Sequence, residues 1–535
     1  MKFKLLYILI SILSFSTSLA QTTNSKSLEI NKNWWMKEKN DSLASTDFIK
    51  LFNQIATNSK KIKKEVIVAV LDSDIDIYHE NFKDFLWLNK KEESNDSVDN
   101  DDNGYVDDVH GWNFLGKKKD GSSLEYTLIE ETRILRKFSE KEITKLKEQK
   151  KVFFSYDSVK KSYDKIDKTL KEEIGPYKAA EPGYVFCMDT LKKAFQKKQL
   201  TLHNINALKS KDTLLKTCIS YVKKMHEDGY PYKEFIDFLN HKRNSLTSCL
   251  NLDYDNREQI GDDIYDINDT KYGSPLFSSV THKIDHGTEV SGVIISALQD
   301  IKETHEVFMP IKIMPLCITG IGDPTDKDTA LAIRYAVDNG AKVINLSQTK
   351  SFSINKEFVD NALRYAEKKD VLIVKSAGNE GVNLDRVVRF PNDNNKLGRE
   401  LVDNMIVVGG CTKFTDKSIF TGNYNYGKKN VDIFAPSKKI STFSPNNNYT
   451  ESSGTSYAAP IVSAIAAIIR SYYPSLSAKQ VKQILMDSGT SYEVNIPFSQ
   501  EDGAEKLIPF SELSKSGKVV NAYNAFMMAK NFVER

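Results

Sequence analysis

The sequence predicts an α/β protein with a mostly parallel sheet and a separate helical insertion. Three observations predict this class. Residues 66–71 form an apolar run rich in β-branched side chains, which is typical of a parallel strand buried on both faces. From residue 287 onward, helical and strand patterns alternate, as they do in successive βα units. Residues 122–250 lack this alternation and are rich in Lys and Glu, with long helical periodicity.

Each element of the alternating part is assigned from its own pattern. Apolar residues with helical spacing predict helices at 290–298, 328–337 and 356–367, and a further helix from Tyr457. Short β-branched runs predict strands at 311–317, 343–346, 371–374, 405–408 and 431–434. In the insertion, the periodicity predicts helices within 128–146, 165–173 and 214–225.

The first 20 residues have the three parts of a secretory signal peptide: a basic start, the apolar core Leu5 to Leu13 and the small-residue end Ser18-Leu19-Ala20. We therefore expect an exported protein, secreted or periplasmic, with cleavage after Ala20. The apolar core is shorter than the ~20 residues of a spanning helix, so we expect no integral membrane segment after signal removal. The predicted organisation is a signal peptide at 1–20, a polar N-terminal arm at 21–64, a main domain at 65–121 and 251–535, and the helical insertion at 122–250.

Charge and cysteine content exclude some classes of protein. The chain has 75 basic and 72 acidic residues and a formal charge of +3, too small an excess to predict nucleic-acid binding. The five cysteines are widely spaced and include no CxxC pair, so they predict neither a metal site nor a redox motif. Two interpretations stay open for them: a local disulfide among Cys187, Cys218 and Cys249, or buried free thiols. The sequence does not indicate an oligomeric state.

Four short segments carry side chains suited to catalysis. Asp72 ends the predicted buried strand, and His286 opens a helix in the segment His-Gly-Thr-Glu. Asn379 lies in Ser-Ala-Gly-Asn-Glu-Gly just after a strand, and Ser456 leads into an apolar helix in Gly-Thr-Ser-Tyr-Ala-Ala-Pro. Each segment alone is modest evidence, but their joint presence in this order on an α/β pattern is far more specific.

These segments resemble the motifs of the subtilisin-like serine proteases, the subtilase family, whose catalytic residues follow the order Asp, His, Ser. The resemblance covers roughly residues 65–115 and 251–530. It implies the subtilisin-like three-layer fold and a serine endopeptidase that hydrolyses peptide bonds of polypeptide substrates. An α/β-hydrolase is disfavoured, because Ser456 is not in a G-x-S-x-G turn and the order of the triad differs. The alternative is a catalytically silent member of this fold that binds peptides or a partner.

The chemistry of peptide hydrolysis gives each residue a role. A serine hydroxyl is a weak nucleophile, so an imidazole must accept its proton and a carboxylate must orient that imidazole. Ser456, His286 and Asp72 are therefore the candidate triad, with an acyl-enzyme on Ser456. Asn379 is the candidate side-chain donor to the oxyanion, and the backbone N–H of Ser456 is the second donor.

The resemblance also implies which segments bind the substrate. It assigns the extended peptide to Ser347, Gln348 and Thr349, and a wall of the primary specificity pocket to Ser376, Ala377 and Gly378.

Several features depart from the family pattern. Asp74 stands where relatives usually have Gly, and its carboxylate either raises the pKa of His286 or points to solvent. Glu289 replaces a second His outside the triad, and Thr349 replaces a Gly that relatives commonly have on the substrate-binding strand. The insertion separates Asp72 from His286, and two hypotheses remain for it: a lid or wall of the cleft, or a remote decoration.

Residues 99–107 predict a metal site. Oxygen ligands stand at alternating positions with Gly104 at the sixth, as in calcium loops. The candidate ligands are Asp99, Asp101, Asn103, the Tyr105 carbonyl and Asp107. The EF-hand is incomplete, because His110 takes the place of the usual twelfth-position Glu. We therefore expect a structural calcium ion, with a solvated acidic turn as the alternative, and no cofactor for catalysis.

Overall fold

The computed structural model describes residues 33–57, 63–196, 200–277, 285–395, 398–499 and 505–535. The predicted signal peptide and residues 21–32 of the arm lie outside these ranges. The chain divides into two compact units: a helical unit of residues 131–140 and 155–255, and an α/β unit that contains the other described residues. Within the predicted insertion, residues 122–130 and 141–154 therefore belong to the α/β unit. No helix in the described ranges is both long and apolar enough to cross a membrane.

The strands are mostly short. They are β1 (Val66–Asp72), β2 (Trp112–Asn113), β3 (Ile311–Cys317), β4 (Val343–Leu346), β5 (Leu372–Ser376), β6 (Met405–Cys411), β7 (Ile433–Pro436), β8 (Ile440–Ser444), β9 (Asn448–Ser452), β10 (Thr490–Ser491), β11 (Asn495–Ser499), β12 (Glu505–Pro509) and β13 (Lys518–Val519).

The helices differ widely in length. They are α1 (Phe48–Thr57), α2 (Glu130–Lys137), α3 (Glu140–Glu148), α4 (Tyr156–Phe195), α5 (Leu202–Ala207), α6 (Thr213–Glu227), α7 (Tyr232–Asn244), α8 (His286–His305), α9 (Asp326–Asp338), α10 (Lys356–Lys368), α11 (Thr455–Tyr472), α12 (Ala478–Asp487) and α13 (Ala522–Glu534).

Nine strands of the described chain form one sheet, in the order β10-β13-β7-β6-β5-β4-β1-β3-β2. All neighbouring pairs are parallel except β10 and β13. The predicted α/β class with a mostly parallel sheet is thus confirmed. The order of connection reverses at β1, which lies between β3 and β4. Clefts for ligands form at such a switch point, beyond the carboxyl ends of the strands.

Helices cover the sheet because its central strands are apolar on both faces. All residues of β4, β5 and β6 are buried, as are six of the seven in β1. Helices α8 and α11 pack together and against the sheet, and α9 packs on α10. The described part of the arm joins this core, since Trp35 and the apolar side of α1 are fully buried in it.

The helical unit has a hydrophobic core of its own, formed mainly by α4, α6 and α7. The helix α4 runs through Pro176 and Pro182, although prolines usually end or kink a helix. All five cysteines of the chain are buried free thiols. The thiols of Cys187 and Cys218 lie close enough to form a hydrogen bond within this unit.

Candidate active site

Asp72 lies at the carboxyl end of β1 because the apolar run of that strand ends there. Its side chain is fully buried. Asp72 Oδ1 accepts hydrogen bonds from His286 Nδ1 at 2.6 Å and from the backbone N–H of Ser73 at 2.7 Å. The carboxylate therefore fixes the tautomer of an imidazole that is 214 positions away in the sequence.

His286 begins α8, and the first turn of this helix is fastened to the segment that follows β1. The Gly287 N–H donates to Ser73 Oγ at 2.9 Å, and Thr288 Oγ1 accepts from the Asp76 N–H at 2.9 Å. A β-carbon at Gly287 would stand 2.4 Å from the Ser73 carbonyl oxygen, so this close approach requires glycine. The position of His286 is therefore set by backbone contacts as well as by Asp72.

Opposing effects act on the pKa of His286. Burial lowers this pKa, whereas the charge and hydrogen bond of Asp72 raise it, followed by the charges of Glu289 and Asp285. The raising effects prevail, and the pKa moves from 6.5 to about 9. A neutral imidazole, which base catalysis requires, is therefore favoured in alkaline solution.

Ser456 lies in the first turn of α11, beside the segment that follows β4. Its hydroxyl donates to the Ser347 carbonyl oxygen at 3.2 Å, and the Ser347 hydroxyl donates to the Ser456 carbonyl oxygen at 2.8 Å. Within the described chain, this bond to Ser347 is the hydrogen bond of the Ser456 hydroxyl, and the imidazole of His286 is not its partner. A hydrogen bond between a catalytic serine and its imidazole often forms only when substrate is bound.

The same segment connects Ser456 with the other triad residues. Gln348, which follows Ser347, donates from Nε2 to Asp72 Oδ1 at 3.2 Å, and Nε2 lies 3.5 Å from His286 Nδ1. Tyr457, which follows Ser456, places its ring edge-on to the imidazole, with centroids 5.8 Å apart. The structure thus brings Asp72, His286 and Ser456 together at the switch point of the sheet.

Asn379 follows β5 and presents its amide N–H groups beside the start of α11. Its Oδ1 accepts from the backbone N–H of Thr455 at 2.8 Å and from Thr455 Oγ1 at 3.1 Å. Asn379 Nδ2 lies 3.3 Å from the place that a β-carbon on Gly454 would take. Oδ1 is occupied by Thr455, and Nδ2 makes no hydrogen bond to the described residues, so the amide N–H groups are available to an oxyanion near Ser456.

The two predicted substrate-binding segments face each other. Gly378 has a φ of +106°, and a β-carbon there would lie 3.4 Å from Thr349 Oγ1 and 2.7 Å from Glu380 Oε2. Thr349 therefore stands opposite Gly378, one of the three residues predicted to form a wall of the primary pocket. In the described chain, the backbone groups of Gln348 and Thr349 take part in no hydrogen bond, so they are available to an extended peptide.

Asp74 and Glu289, which depart from the family pattern, are both buried. Asp74 Oδ1 accepts from the Ile75 N–H at 2.9 Å, so this carboxylate does not point to solvent. The backbone at Asp74 stays outside the left-handed region, so the turn does not need the glycine of relatives. Glu289 contacts Tyr457, a pairing that the sequence analysis missed.

In the acidic loop of residues 92–107, the carboxylates of two predicted ligands, Asp99 and Asp101, converge with that of Glu92. Carboxylate oxygens of Glu92, Asp99 and Asp101 lie within 4.8 Å of one another. Glu92 is only 9% exposed. Glu92 Oε2 and Asp101 Oδ1 are buried and have no hydrogen-bond partner among the described residues. Burial raises the pKa of Glu92, and the charges of Asp101 and Asp99 add to this.

The other predicted ligands have other contacts. Asn103 donates from Nδ2 to Asp108 at 2.9 Å, and its Oδ1 accepts from the Tyr105 N–H at 2.8 Å. Asp107 accepts from the backbone N–H groups of residues 96 and 97. The ring of Tyr105 packs against Trp112 at a centroid distance of 5.0 Å, and the Tyr105 carbonyl oxygen stays a predicted ligand. Sequence spacing could not have found Glu92, because it lies seven positions before the motif begins.

Comparison with known proteins identifies relatives of this chain. The model of the subtilase family matches residues 155–505. This range includes His286, Asn379 and Ser456 but begins after Asp72, which the structure connects with them through its hydrogen bond to His286.

The cell wall-associated protease of Bacillus subtilis (strain 168) is 32% identical, over 41% of this chain and 22% of that protein. Subtilisin DY of Bacillus licheniformis is 29% identical, over 41% of this chain and 76% of that protein. The matched region thus spans less than a quarter of the Bacillus subtilis protease. The crystal structure of a lanthipeptide protease shares 24% identity over 45% of this chain and 75% of that chain, with a TM-score of 0.35.

Proposed function

Since this chain belongs to the subtilase family, we propose that it is an exported serine endopeptidase that forms an acyl-enzyme on Ser456. The observation that carries the proposal is the 2.6 Å hydrogen bond between His286 Nδ1 and Asp72 Oδ1, beside a serine at a helix N-terminus. This bond leaves Nε2 of the imidazole to accept a proton.

The reaction begins when the Ser456 hydroxyl attacks the scissile carbonyl carbon and His286 Nε2 takes its proton. The Asp72 carboxylate stabilises the imidazolium that forms. The negative oxygen of the tetrahedral intermediate is met by Asn379 Nδ2 and the Ser456 N–H. His286 then protonates the leaving amine, and water hydrolyses the acyl-enzyme by the same steps.

The substrate is proposed to be an extended polypeptide. The backbone groups of Gln348 and Thr349, which bond to none of the described residues, suit main-chain pairing, which accepts many sequences. Thr349 opposite Gly378 narrows the entrance to the primary pocket, which favours small side chains next to the cleaved bond.

The test compares the wild type with Ser456→Ala in casein hydrolysis and in labelling by a fluorophosphonate. We expect hydrolysis and labelling with the wild type and neither with the variant. A wild type that matches Ser456→Ala in both assays would instead indicate a silent, peptide-binding protein.

Export is proposed on the signal-peptide pattern of residues 1–20. Mass spectrometry of the protein from the culture medium and the periplasm should find a chain that begins at Gln21 or later. A full-length chain confined to the cytoplasm would contradict export.

A structural calcium ion is proposed at Glu92, Asp99 and Asp101. Three convergent carboxylates, two with buried unpartnered oxygens, form a site of hard oxygen donors that a divalent cation would neutralise. Calcium should raise the Tm of Ser456→Ala, and EGTA should lower it. The response should disappear in Glu92→Gln and persist in Asp102→Asn, which removes an exposed carboxylate of the same loop. An unchanged Tm would refute the site.

A further inference from the structure

Glu289 is a buried carboxylate one helical turn after His286. Only 6% of this residue is exposed, and it belongs to the same helix, α8, as the catalytic imidazole. Isolated buried charges are costly, so a carboxylate at this depth needs hydrogen-bond donors around it. The hydrolytic steps proposed for the triad do not use it.

The donors to Glu289 come from the helix that carries the nucleophile and from a neighbouring hairpin. The Tyr457 hydroxyl and the Ser452 hydroxyl both donate to Glu289 Oε2, the latter at 2.8 Å. Thr442 Oγ1 donates to the Glu289 carbonyl oxygen at 2.5 Å. Tyr457 directly follows Ser456 in α11, so one buried carboxylate joins the helices of His286 and Ser456.

The Tyr457 ring also contacts the imidazole. It meets His286 edge-on, at an interplanar angle of 61°. Asp72 holds the imidazole by hydrogen bonding, while the ring packs against it. The Tyr457 hydroxyl fixes the position of the ring by donating to Glu289. Burial raises the pKa of Tyr457 well above 10, so the hydroxyl keeps its proton and remains a donor.

We infer that Glu289 and Tyr457 form a clamp of positioning residues that sets the imidazole of His286 relative to Ser456. The inference rests on the proposed function, and it assigns a use to the Glu that replaces the second His of relatives. The clamp acts through geometry and through the negative charge of Glu289, one of the groups that raise the pKa of His286.

Among the described residues, the charged groups with the largest effect on the pKa of His286 are acidic. Asp72 approaches from the end of β1, Asp285 precedes α8, Glu289 belongs to α8 itself and Tyr457 belongs to α11. Because Asp72 and Asp285 stay unchanged in the variants below, changes in the titration of His286 report on the clamp.

The test uses Glu289→Gln, Tyr457→Phe and the double variant. Tyr472→Phe is the matched control, since it removes another buried hydroxyl of α11, one without a hydrogen-bond partner in the described chain. We expect each clamp variant to lower kcat by about tenfold with KM nearly unchanged, because small displacements of catalytic groups are costly. The double variant should be no slower than the worse single variant, because both changes break the same contact.

A readout that does not depend on turnover separates this inference from the proposed function. In the Ser456→Ala background, ring-labelled histidine followed by NMR should show a lower His286 pKa in Glu289→Gln and a displaced ring signal in Tyr457→Phe. Tyr472→Phe should show neither. The clamp would be overturned by unchanged His286 signals, or by a double variant whose loss in kcat equals the combined losses of the two single variants. An inactive wild type whose variants still show the NMR changes would refute only the proposed protease activity.

Discussion

Asp72→Asn should change the pH dependence of this protein more than any other single substitution at the site. In the wild type, Asp72 is the main cause of a His286 pKa that is raised from 6.5 to about 9. A neutral amide at position 72 removes that attraction, while burial still lowers the pKa. We therefore expect the His286 pKa of the variant to fall to about 6.5 or below.

The magnitude follows from the difference between the two pKa values, 6.5 and about 9. This difference of about 2.5 pKa units corresponds to about 3 kcal/mol at 1.36 kcal/mol per unit. Water reaches 30% of the imidazole side chain and screens the interaction. We therefore expect about 2 kcal/mol of folding stability from the protonated form of His286.

The sign of the effect is set by the raised pKa. The folded chain holds the proton on His286 more tightly than the unfolded chain does, so this stability is complete below pH 6.5. It is lost as the pH rises from 6.5 through about 9. Two proteins are compared, the single variant Ser456→Ala and the double variant Ser456→Ala with Asp72→Asn. When the pH rises from about 6 to about 10, the unfolding free energy of the single variant should fall by about 2 kcal/mol more than that of the double variant.

Two assays check this reasoning. Denaturant unfolding at both pH values gives the stability difference between the two Ser456→Ala proteins. The pH profile of kcat/KM on a chromogenic peptide should rise to near pH 9 in the wild type, and the rate of fluorophosphonate labelling should level off at lower pH in Asp72→Asn. The assigned role of Asp72 would be refuted if both Ser456→Ala proteins lost the same unfolding free energy between the two pH values, and if Asp72→Asn did not move the acid limb of the pH profile.

Other substitutions test separate contacts. Asn379→Ala should lower kcat by about 10²- to 10³-fold with little change in KM; loss of this donor has a kcat effect of that size in subtilisin itself. An unchanged kcat would exclude Asn379 from the oxyanion site. Gln348→Leu removes a donor to Asp72 Oδ1 and should move the acid limb of kcat/KM to higher pH by less than about one unit, so a downward move would contradict the observed contact. Trp35→Ala should cost about 3–5 kcal/mol of unfolding free energy, because Trp35 is fully buried in the main core; a loss below about 1 kcal/mol would mean that the arm is not part of the stable fold.

Local patterns predicted several elements of the α/β unit. The strands at 311–317 and 343–346 are observed with these bounds, and the predicted helix at 356–367 is observed as Lys356–Lys368. The helix at 290–298 proves longer at both ends, His286–His305, because its first turn is rich in small and polar residues that the apolar period does not register. The predicted helix across 128–146 is observed as two helices, α2 and α3, that are separated at residues 138–139.

The short strands near the C-terminus were not predicted. Strands β10 and β13 have two residues each, and β11 and β12 form a hairpin outside the main sheet. Two residues are too few to show a period, so the structure of β10 and β13 is determined by their partners.

The sequence by itself predicted the α/β class from periodicity, and it predicted Asp72, His286, Asn379 and Ser456 from four motifs whose joint order resembles that of the subtilase family. The tertiary structure decided which side chains meet between elements. In the structure, Gln348 donates a hydrogen bond to Asp72, Tyr457 donates one to Glu289, and the Glu92 carboxylate lies beside those of Asp99 and Asp101. Periodicity and propensity describe a segment only within its own element, whereas these contacts depend on how separate elements pack, so a single sequence does not reveal them.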